Sequence, residues 1–464
     1  MSQSESIQDT LPAWMPALQK QGGPRFLQVA DALQQAVESG ALKSGDRLPP
    51  QRWLAAKLQV DLTTITRAYD EARRRHLLEG RGARGTYVAA PKAELTPVLD
   101  LSMNTPPPPA GVDADALLKQ GLAQVLMGAD NTLLMNYHLA GGSDADREAA
   151  ARWLAPAFGR LDKQQLVVCP GAQAAIAALI LTLTKPGDVI LAEPLCYPGL
   201  HTAARQLGRR VLAVGTDEHG MLPELLEQAC QQYHAPLLYL NPTLQNPTAL
   251  TMPEARRSAI ATIIQQYRLR VIEDDPYWLL AETAPPPFAT RVAEQVAYIS
   301  TLSKCLMPGL RVAFVLIRDA NQREHFLSAL RSFALMTAPV MAALATQWIQ
   351  DGSAQQILKG VRKEARLRYN MASNILAGRD AGCHDALHIW LTLPAYWEAA
   401  QLARAAAAEG IFVTPAEDFR TGDSEVNAIR LSLGSTKERQ HLQTGLQKLS
   451  RLLASPPDHI KKNI

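Results

Sequence analysis

Five short apolar runs, parted by stretches of helical character from residue 166 onward, constrain the fold of this 464-residue chain more than any other feature. They read LVVC (166–169), VILA (189–192), LLYL (237–240), VIED (271–274) and VAFVLI (312–317). Apolar runs separated by helices predict an α/β domain with a largely parallel sheet. Ligands on such sheets bind beyond the strand ends, so the polar residues after each run are where chemistry is expected. The chain is too long for one ordinary core, and two or three domains are expected. An apolar content of 47% with 20% charged residues describes a soluble globular protein. No apolar run reaches membrane-spanning length, and the first 21 residues lack a basic-then-apolar signal pattern. Five cysteines without a CxxC pair argue for a reducing cytoplasm and against a disulfide framework or zinc site, and no metal is expected.

The residues at the strand ends form a consistent set. After LVVCP come Gly171, Ala172 and Gln173 and then a helical stretch, a junction whose backbone N–H groups and helix dipole can hold a phosphate. After VILAEP and Leu195 come Cys196, Tyr197, Pro198 and Gly199, offering a ring that can stack on a planar cofactor. After LLYL comes NPTLQNPTA, with Asn246 placed to hydrogen-bond a phenolic oxygen. Asp274 closes VIED, where a carboxylate beside a pyridine nitrogen keeps it protonated, and Tyr277 follows three residues later.

The stretch TLSKCLMPGLR (301–311) sets Lys304 between a serine and an apolar turn, with Arg311 seven residues on. A lysine that forms a Schiff base needs an apolar setting to lower its pKa, and a nearby anchor for an anionic cofactor. Taken alone, this spacing reads as a surface lysine and an ordinary salt-bridging arginine. Beside the strand-end residues, it points instead to pyridoxal phosphate (PLP).

In this order the motifs GAQ, YPG, NPT, EDDPY, SK and R resemble the fold-type I aminotransferases, in the branch with aromatic amino acid and kynurenine aminotransferases; the match runs from about residue 99 to the C-terminus. The resemblance implies a large domain with a mainly parallel sheet and a small C-terminal α+β domain. It makes Lys304 the Schiff-base lysine, Asp274 the partner of the pyridine nitrogen and Tyr197 the stacking ring. Asn246 and Tyr277 match the phenolic-oxygen contacts. Gly171, Ala172, Gln173, Thr301, Ser303 and Arg311 match the phosphate region. Arg430, in AIRLSL, matches the arginine that grips a substrate carboxylate. Tyr137 resembles the tyrosine that reaches the phosphate of a neighbouring subunit. Ala172 and Thr301 depart from a common hydroxyl residue and a common serine, and Ala249 replaces the usual glycine of NPTG.

The N-terminal part reads differently. Residues 24–90 hold eleven Lys/Arg against seven Asp/Glu, an excess of four that leaves the remainder near −1 of the net +3. A basic excess so confined is expected where only that part meets nucleic acid. Helical spacing predicts helices over 26–39, 51–58 and 62 to about 75, the last N-capped by the Asp61 carboxylate. The brief joint between the second and third reads as a helix-turn-helix. Behind it LLEGRGARGTYV (77–88) reads as a hairpin with Arg81 and Arg84 at its tip, a basic wing suited to phosphates or the minor groove. The motifs LPP-x-R (48–52), LAAKL (54–58), TTITRAY (63–69) and GTYV (85–88) resemble the winged helix of the GntR family. Leu62 stands where that family often has arginine, so DNA contacts are expected from Arg52, Thr63, Thr64, Arg67, Arg81 and Arg84.

The expected layout is a winged helix-turn-helix over 20–88, a linker over 89–98 and an aminotransferase-like domain over 99–464. That pairing resembles the MocR subfamily of bacterial regulators. It implies a cytoplasmic, domain-swapped homodimer reading two half-sites of double-stranded DNA, with no membrane partner. An amine or amino acid effector, or PLP itself, would be sensed through an aldimine at Lys304. A working aminotransferase with an accessory DNA-binding domain remains the alternative.

Overall fold

The computed structural model describes residues 11–15, 18, 23–75, 77–80, 85–89, 99–128, 134–376, 380–422 and 425–457. Contacts divide the chain into two compact units, Met1–Pro97 and Val98–Ile464.

The first unit is built from α1 (Arg25–Glu38), α2 (Gln51–Leu58), α3 (Leu62–Arg74), β1 (Leu78–Gly80) and β2 (Thr86–Val88). Val29, Leu33, Leu54, Ile65, Ala68 and Tyr69 recur at helical spacing and close one core with Leu78 and Val88. The turn between α2 and α3 depends on Gln59, whose φ of 51° reverses the chain where glycine is the usual choice. The Val60 amide then donates back to Ala55 O at 3.1 Å. Tyr69 ties α3 to the start of α2, donating to Pro49 O at 2.9 Å. β1 and β2 pair antiparallel with Leu78 opposite Val88, and Arg47 bridges Tyr87 on the other edge, giving the wing three short rungs.

One expectation is corrected here. Asp61 does occupy the N-cap position of α3, but its carboxylate makes no capping bond; the Thr64 amide donates to Asp61 backbone O at 2.9 Å instead. At the end of α3, Arg73, Arg74 and Arg75 pair with Asp70, Glu71 and Asp31. Arg81 and Arg84 lie outside the described residues.

In the second unit β3 (Leu99–Asp100) leads in, followed by β4 (Leu166–Cys169), β5 (Val189–Ala192), β6 (Arg210–Ala213) and the hairpin of β7 (Thr216–Asp217) and β8 (Gly220–Met221). β9 (Leu237–Leu240), β10 (Arg270–Asp274), β11 (Val296–Thr301) and β12 (Ala313–Leu316) complete a seven-stranded sheet of order β4-β12-β11-β10-β9-β5-β6. All pairings are parallel except those of β12, antiparallel to both β11 and β4. The reversal has a length cause. Only residues 302–312 separate β11 from β12, too few for the helical crossover that a parallel return needs. Because Thr301 lies opposite Ala313, Lys304 and Arg311 share one connection at the end of β11.

The C-terminal part carries β13 (Asp380–Ala381), β14 (His388–Thr392), β15 (Ile411–Phe412), β16 (Thr414–Pro415) and β17 (Ala428–Ser432). Four of them form an antiparallel sheet of order β13-β14-β17-β16 under helices Ser353–Ile375, Ala399–Ala408 and Arg439–Ala454. β15 pairs instead with β3, and Leu99 is seated so closely against Gly445 that a Cβ there would lie 1.9 Å from its side chain. Among the described residues no helix is long and apolar enough to cross a membrane.

Candidate functional site

Ala172, Gln173, Tyr197, Asn246, Asp274, Tyr277, Thr301, Ser303, Lys304, Arg311 and Arg430 all line one cavity of about 600 Å³. These residues come from at or beyond the ends of five strands, β4, β5, β9, β10 and β11, and from β17, so the site lies where the sheet's carboxyl edge meets the smaller C-terminal sheet.

Lys304 sits in the single turn Leu302–Cys305, which Thr301 caps by accepting from the Ser303 amide at 3.2 Å. Burial, with the charges of Arg430 and Arg311, lowers its amine from 10.5 to about 8, although Asp274 opposes the shift. The amine donates to the backbone carbonyl of Asn104. A lysine so depressed holds a useful fraction of neutral, nucleophilic amine near neutral pH.

Asp274 ends β10 inside the cavity. Its Oδ2 accepts from the Tyr239 hydroxyl at 2.7 Å, whereas its buried Oδ1 has no partner among the described residues. Burial pushes this carboxyl up to about 6, with the Tyr239 bond and Lys304 pulling it back. An orphaned carboxylate oxygen in so dry a place suits a cationic N–H donor, such as a protonated ring nitrogen.

At the opposite end Gly171 caps helix Ala172–Leu183 with a φ of 89°. A Cβ there would fall 2.3 Å from the Arg311 guanidinium, so only glycine lets Arg311 lie against the helix N-terminus. Arg311, Thr301, Ser303 and the first amides of the helix together suit a phosphate dianion. Gly199 has a similar role, because a Cβ there would sit 2.1 Å from Gln173 Oε1 and 2.3 Å from the Tyr197 ring. Ala249 holds a φ of 59° without being glycine, so the departure from NPTG keeps the left-handed turn under strain.

Arg430, on β17, is buried over the Phe419 ring at 4.9 Å. Its Nη1 donates to Asn246 Oδ1 at 2.7 Å and its Nη2 to Ser102 O, while Nε finds no partner among the described residues. Burial lowers it to about 10. It is a fixed fork with N–H groups to spare, suited to a carboxylate. Tyr137 is 69% exposed and does not line the cavity.

Asn104, His388 and Tyr239 were not among the expected site residues. Asn104 Nδ2 lies 2.9 Å from Tyr277 Oη and 3.0 Å from His388 Nδ1. The available signal was a polar residue in an apolar setting: Tyr239 within LLYL, His388 within ALHIWL and Asn104 ahead of a proline run.

In the first unit Arg52, Thr63 and Arg67 are exposed and Thr64 is half-buried. Arg67 rests its guanidinium over the Phe26 ring at 4.6 Å.

Comparison with known proteins extends these observations. The pattern of the family "Aminotransferase class I and II" matches residues 96–449, and that of "Bacterial regulatory proteins, gntR family" matches residues 26–88. The HTH-type transcriptional regulator YdeF of Bacillus subtilis (strain 168) is 31% identical over 95% of this chain and 97% of its own. The vitamin B6 salvage pathway transcriptional repressor PtsJ of Salmonella typhimurium is 29% identical over 64% of this chain and 68% of its own. Among solved structures, kynurenine aminotransferase of Pyrococcus horikoshii superposes with a TM-score of 0.69 at 22% identity, covering 78% of this chain and 92% of that one.

Proposed function

The chain belongs to the aminotransferase class I and II family, joined to a gntR-type regulatory domain as in the MocR subfamily, and from that premise we propose that it is a transcription regulator sensing an amine or amino acid through PLP. The observation that carries the reading is the cavity around Lys304. It gathers a depressed lysine, an orphaned carboxylate oxygen and an arginine-backed helix N-terminus, in a chain that also holds a helix-turn-helix. PtsJ, a repressor by name, supports the regulatory side.

When bound, PLP supplies an aldehyde carbon open to amines and a ring that accepts electrons. The protein's own groups divide the work of holding it. Asp274 Oδ1 would take the ring N–H, Tyr197 would lie against the ring face, and Asn246 and Tyr277 would meet the phenolic oxygen. Gly171, Ala172, Gln173, Thr301, Ser303 and Arg311 would hold the phosphate. The Lys304 amine would be the nucleophile, and Arg430 would receive a carboxylate carried by the effector. Exposed Tyr137 would reach the phosphate of a second copy in a homodimer; the reading takes that dimer as cytoplasmic and domain-swapped, with two half-sites of double-stranded DNA as its target.

The DNA-binding half rests on Arg52, Thr63, Thr64 and Arg67, with the wing's Arg81 and Arg84 on the backbone. Replacing Arg67 by alanine weakens operator binding by about 1–3 kcal/mol where it makes a bidentate base contact. A loss equal on all sequences, with a shallower salt slope, would assign it to phosphate instead. Operator titrations of the full chain measure both.

The sensor reading is tested by the same titration run without PLP, with PLP, and with PLP plus a panel of amines and amino acids. A ligand shifts operator affinity only through a difference between two states, so a coupling of about 1–3 kcal/mol is expected. Arg430→Ala removes the response to carboxylate-bearing ligands and reduces the response to amines without a carboxylate far less. Constant affinity across the panel, together with steady amino-group transfer to a keto acid, would mark a working aminotransferase. The observation behind that second reading is that the cavity brings together Lys304, Asp274, Tyr277 and Arg311, residues that transamination would also need.

A further inference from the structure

We propose that Asn104 and His388 are positioning residues that fix the Tyr277 hydroxyl as a permanent hydrogen-bond donor into the cavity. The inference rests on the reading that this cavity holds PLP.

The direction of every hydrogen follows from the partners. His388 is fully buried, and that burial, with the charge of Arg430, lowers its ring to about 3, so the ring is neutral and carries one N–H. Its Nε2 lies 3.1 Å from the carbonyl oxygen of Gln245, which can only accept. The proton is therefore on Nε2, and Nδ1 is a bare acceptor. Asn104 lies 3.0 Å from that Nδ1, so it must present its amide nitrogen there and donate. The bare Nδ1 alone excludes a flipped amide, and Ser432, whose hydroxyl can donate or accept, lies 3.4 Å from the Asn104 Oδ1 so placed.

The second hydrogen of the same Nδ2 is directed at Tyr277 Oη, 2.9 Å away. The Tyr277 oxygen thus accepts from Asn104, and its own O–H is left to point elsewhere. Tyr277 lines the cavity, and burial raises its phenol well above the ordinary value, so the proton stays in place. The outcome is a chain of neutral groups, Gln245 O to His388 to Asn104 to Tyr277, ending in a donor aimed at whatever oxygen occupies the cavity. No member ionises near neutral pH. The remaining charges around it are Arg430, Lys304 and Asp274, and none of them donates to or accepts from Tyr277.

A donor on the phenolic oxygen of PLP favours its anionic form. The readout is the pH midpoint of the visible band of the PLP-loaded full chain. Asn104→Asp keeps the shape but replaces the donor by an acceptor, which turns the Tyr277 O–H back toward residue 104. The midpoint then rises by about one pH unit. Tyr277→Phe raises it as well, and the double variant rises no further than Tyr277→Phe alone, because Asn104 acts only through that hydroxyl. Ser432→Ala leaves the midpoint where it was. Midpoints unmoved by Asn104→Asp, or shifts that add in the double variant, overturn the inference and leave the PLP reading standing. A wild-type chain that acquires no visible band with PLP overturns both. If Asn104→Asp does not fold, His388→Phe removes the acceptor that orients the amide, and a raised midpoint is again expected; an unchanged one sinks the idea.

Discussion

Replacing Lys304 by alanine abolishes the visible absorption band that the wild-type chain acquires with PLP, and borohydride then fixes no cofactor onto the protein. The expectation is all-or-none because, among the described residues, Lys304 is the sole lysine lining the cavity. The remaining groups can still hold the phosphate and the ring, so the alanine variant binds PLP more weakly and releases it on dialysis. The pH dependence carries the same signature. The amine is lowered to about 8, so wild-type band formation rises as pH passes through about 8, below the range of an ordinary lysine near 10.5. A Lys304→Ala chain that keeps a dialysis-resistant band would falsify the assignment.

The second large effect concerns stability. Arg257 is fully buried, with Nε on Met252 O at 3.0 Å and Nη2 on Pro242 O and the Thr243 hydroxyl, both at 3.0 Å. It is the buried countercharge for Glu273 and Asp275, which flank Asp274 on the chain; burial raises both acids and Arg257 pulls them back. Arg257→Met should cost about 3–5 kcal/mol, because it takes the donor from the buried Met252 and Pro242 carbonyls and the Thr243 hydroxyl and removes the nearby countercharge from two buried acids. The sign of the pH dependence follows. An acid raised in the folded state contributes stability that is full below its unfolded pKa and is lost as pH rises through the folded value. Removing Arg257 raises both acids further, so the penalty is level in acid and grows only as pH rises through the wild-type folded values, about 7 for Asp275 and about 8 for Glu273. Urea unfolding of wild type and Arg257→Met at several pH values measures it; a penalty independent of pH would mean that Glu273 and Asp275 do not feel Arg257.

What the sequence disclosed about this site follows from how far apart the cooperating residues lie. Lys304 and Arg311 are on one connection, and Asp274, Asn246 and Tyr197 follow strands whose apolar runs are plain, so local patterns find them. Asn104 and His388 meet across most of the domain, through β14 lying beside β17 with His388 opposite Ser432. No local spacing encodes that register. β11 went unnamed although it sits in the middle of the sheet, and the reversed β12 followed from a connection too short to cross over, which an apolar run does not reveal. The Asp61 cap failed for a smaller reason: the backbone carbonyl of the same residue already satisfies the Thr64 amide.

The lead-in strand β3 and the residues behind it limit where this chain can be divided. Leu99 pairs with β15 and packs on Gly445, Ser102 O receives Arg430, and Asn104 holds both Lys304 and Tyr277. The proline run at 106–109 looks like a natural seam, yet severing the chain there would take one wall of the ligand cavity away with the DNA-binding half. A sensor half built to stand alone has to begin ahead of Leu99. By the same logic, in any recombination that exchanges DNA-binding domains between such regulators, a crossover in the proline run gives the new partner's residues to the pocket, whereas one before Leu99 leaves ligand specificity with the recipient.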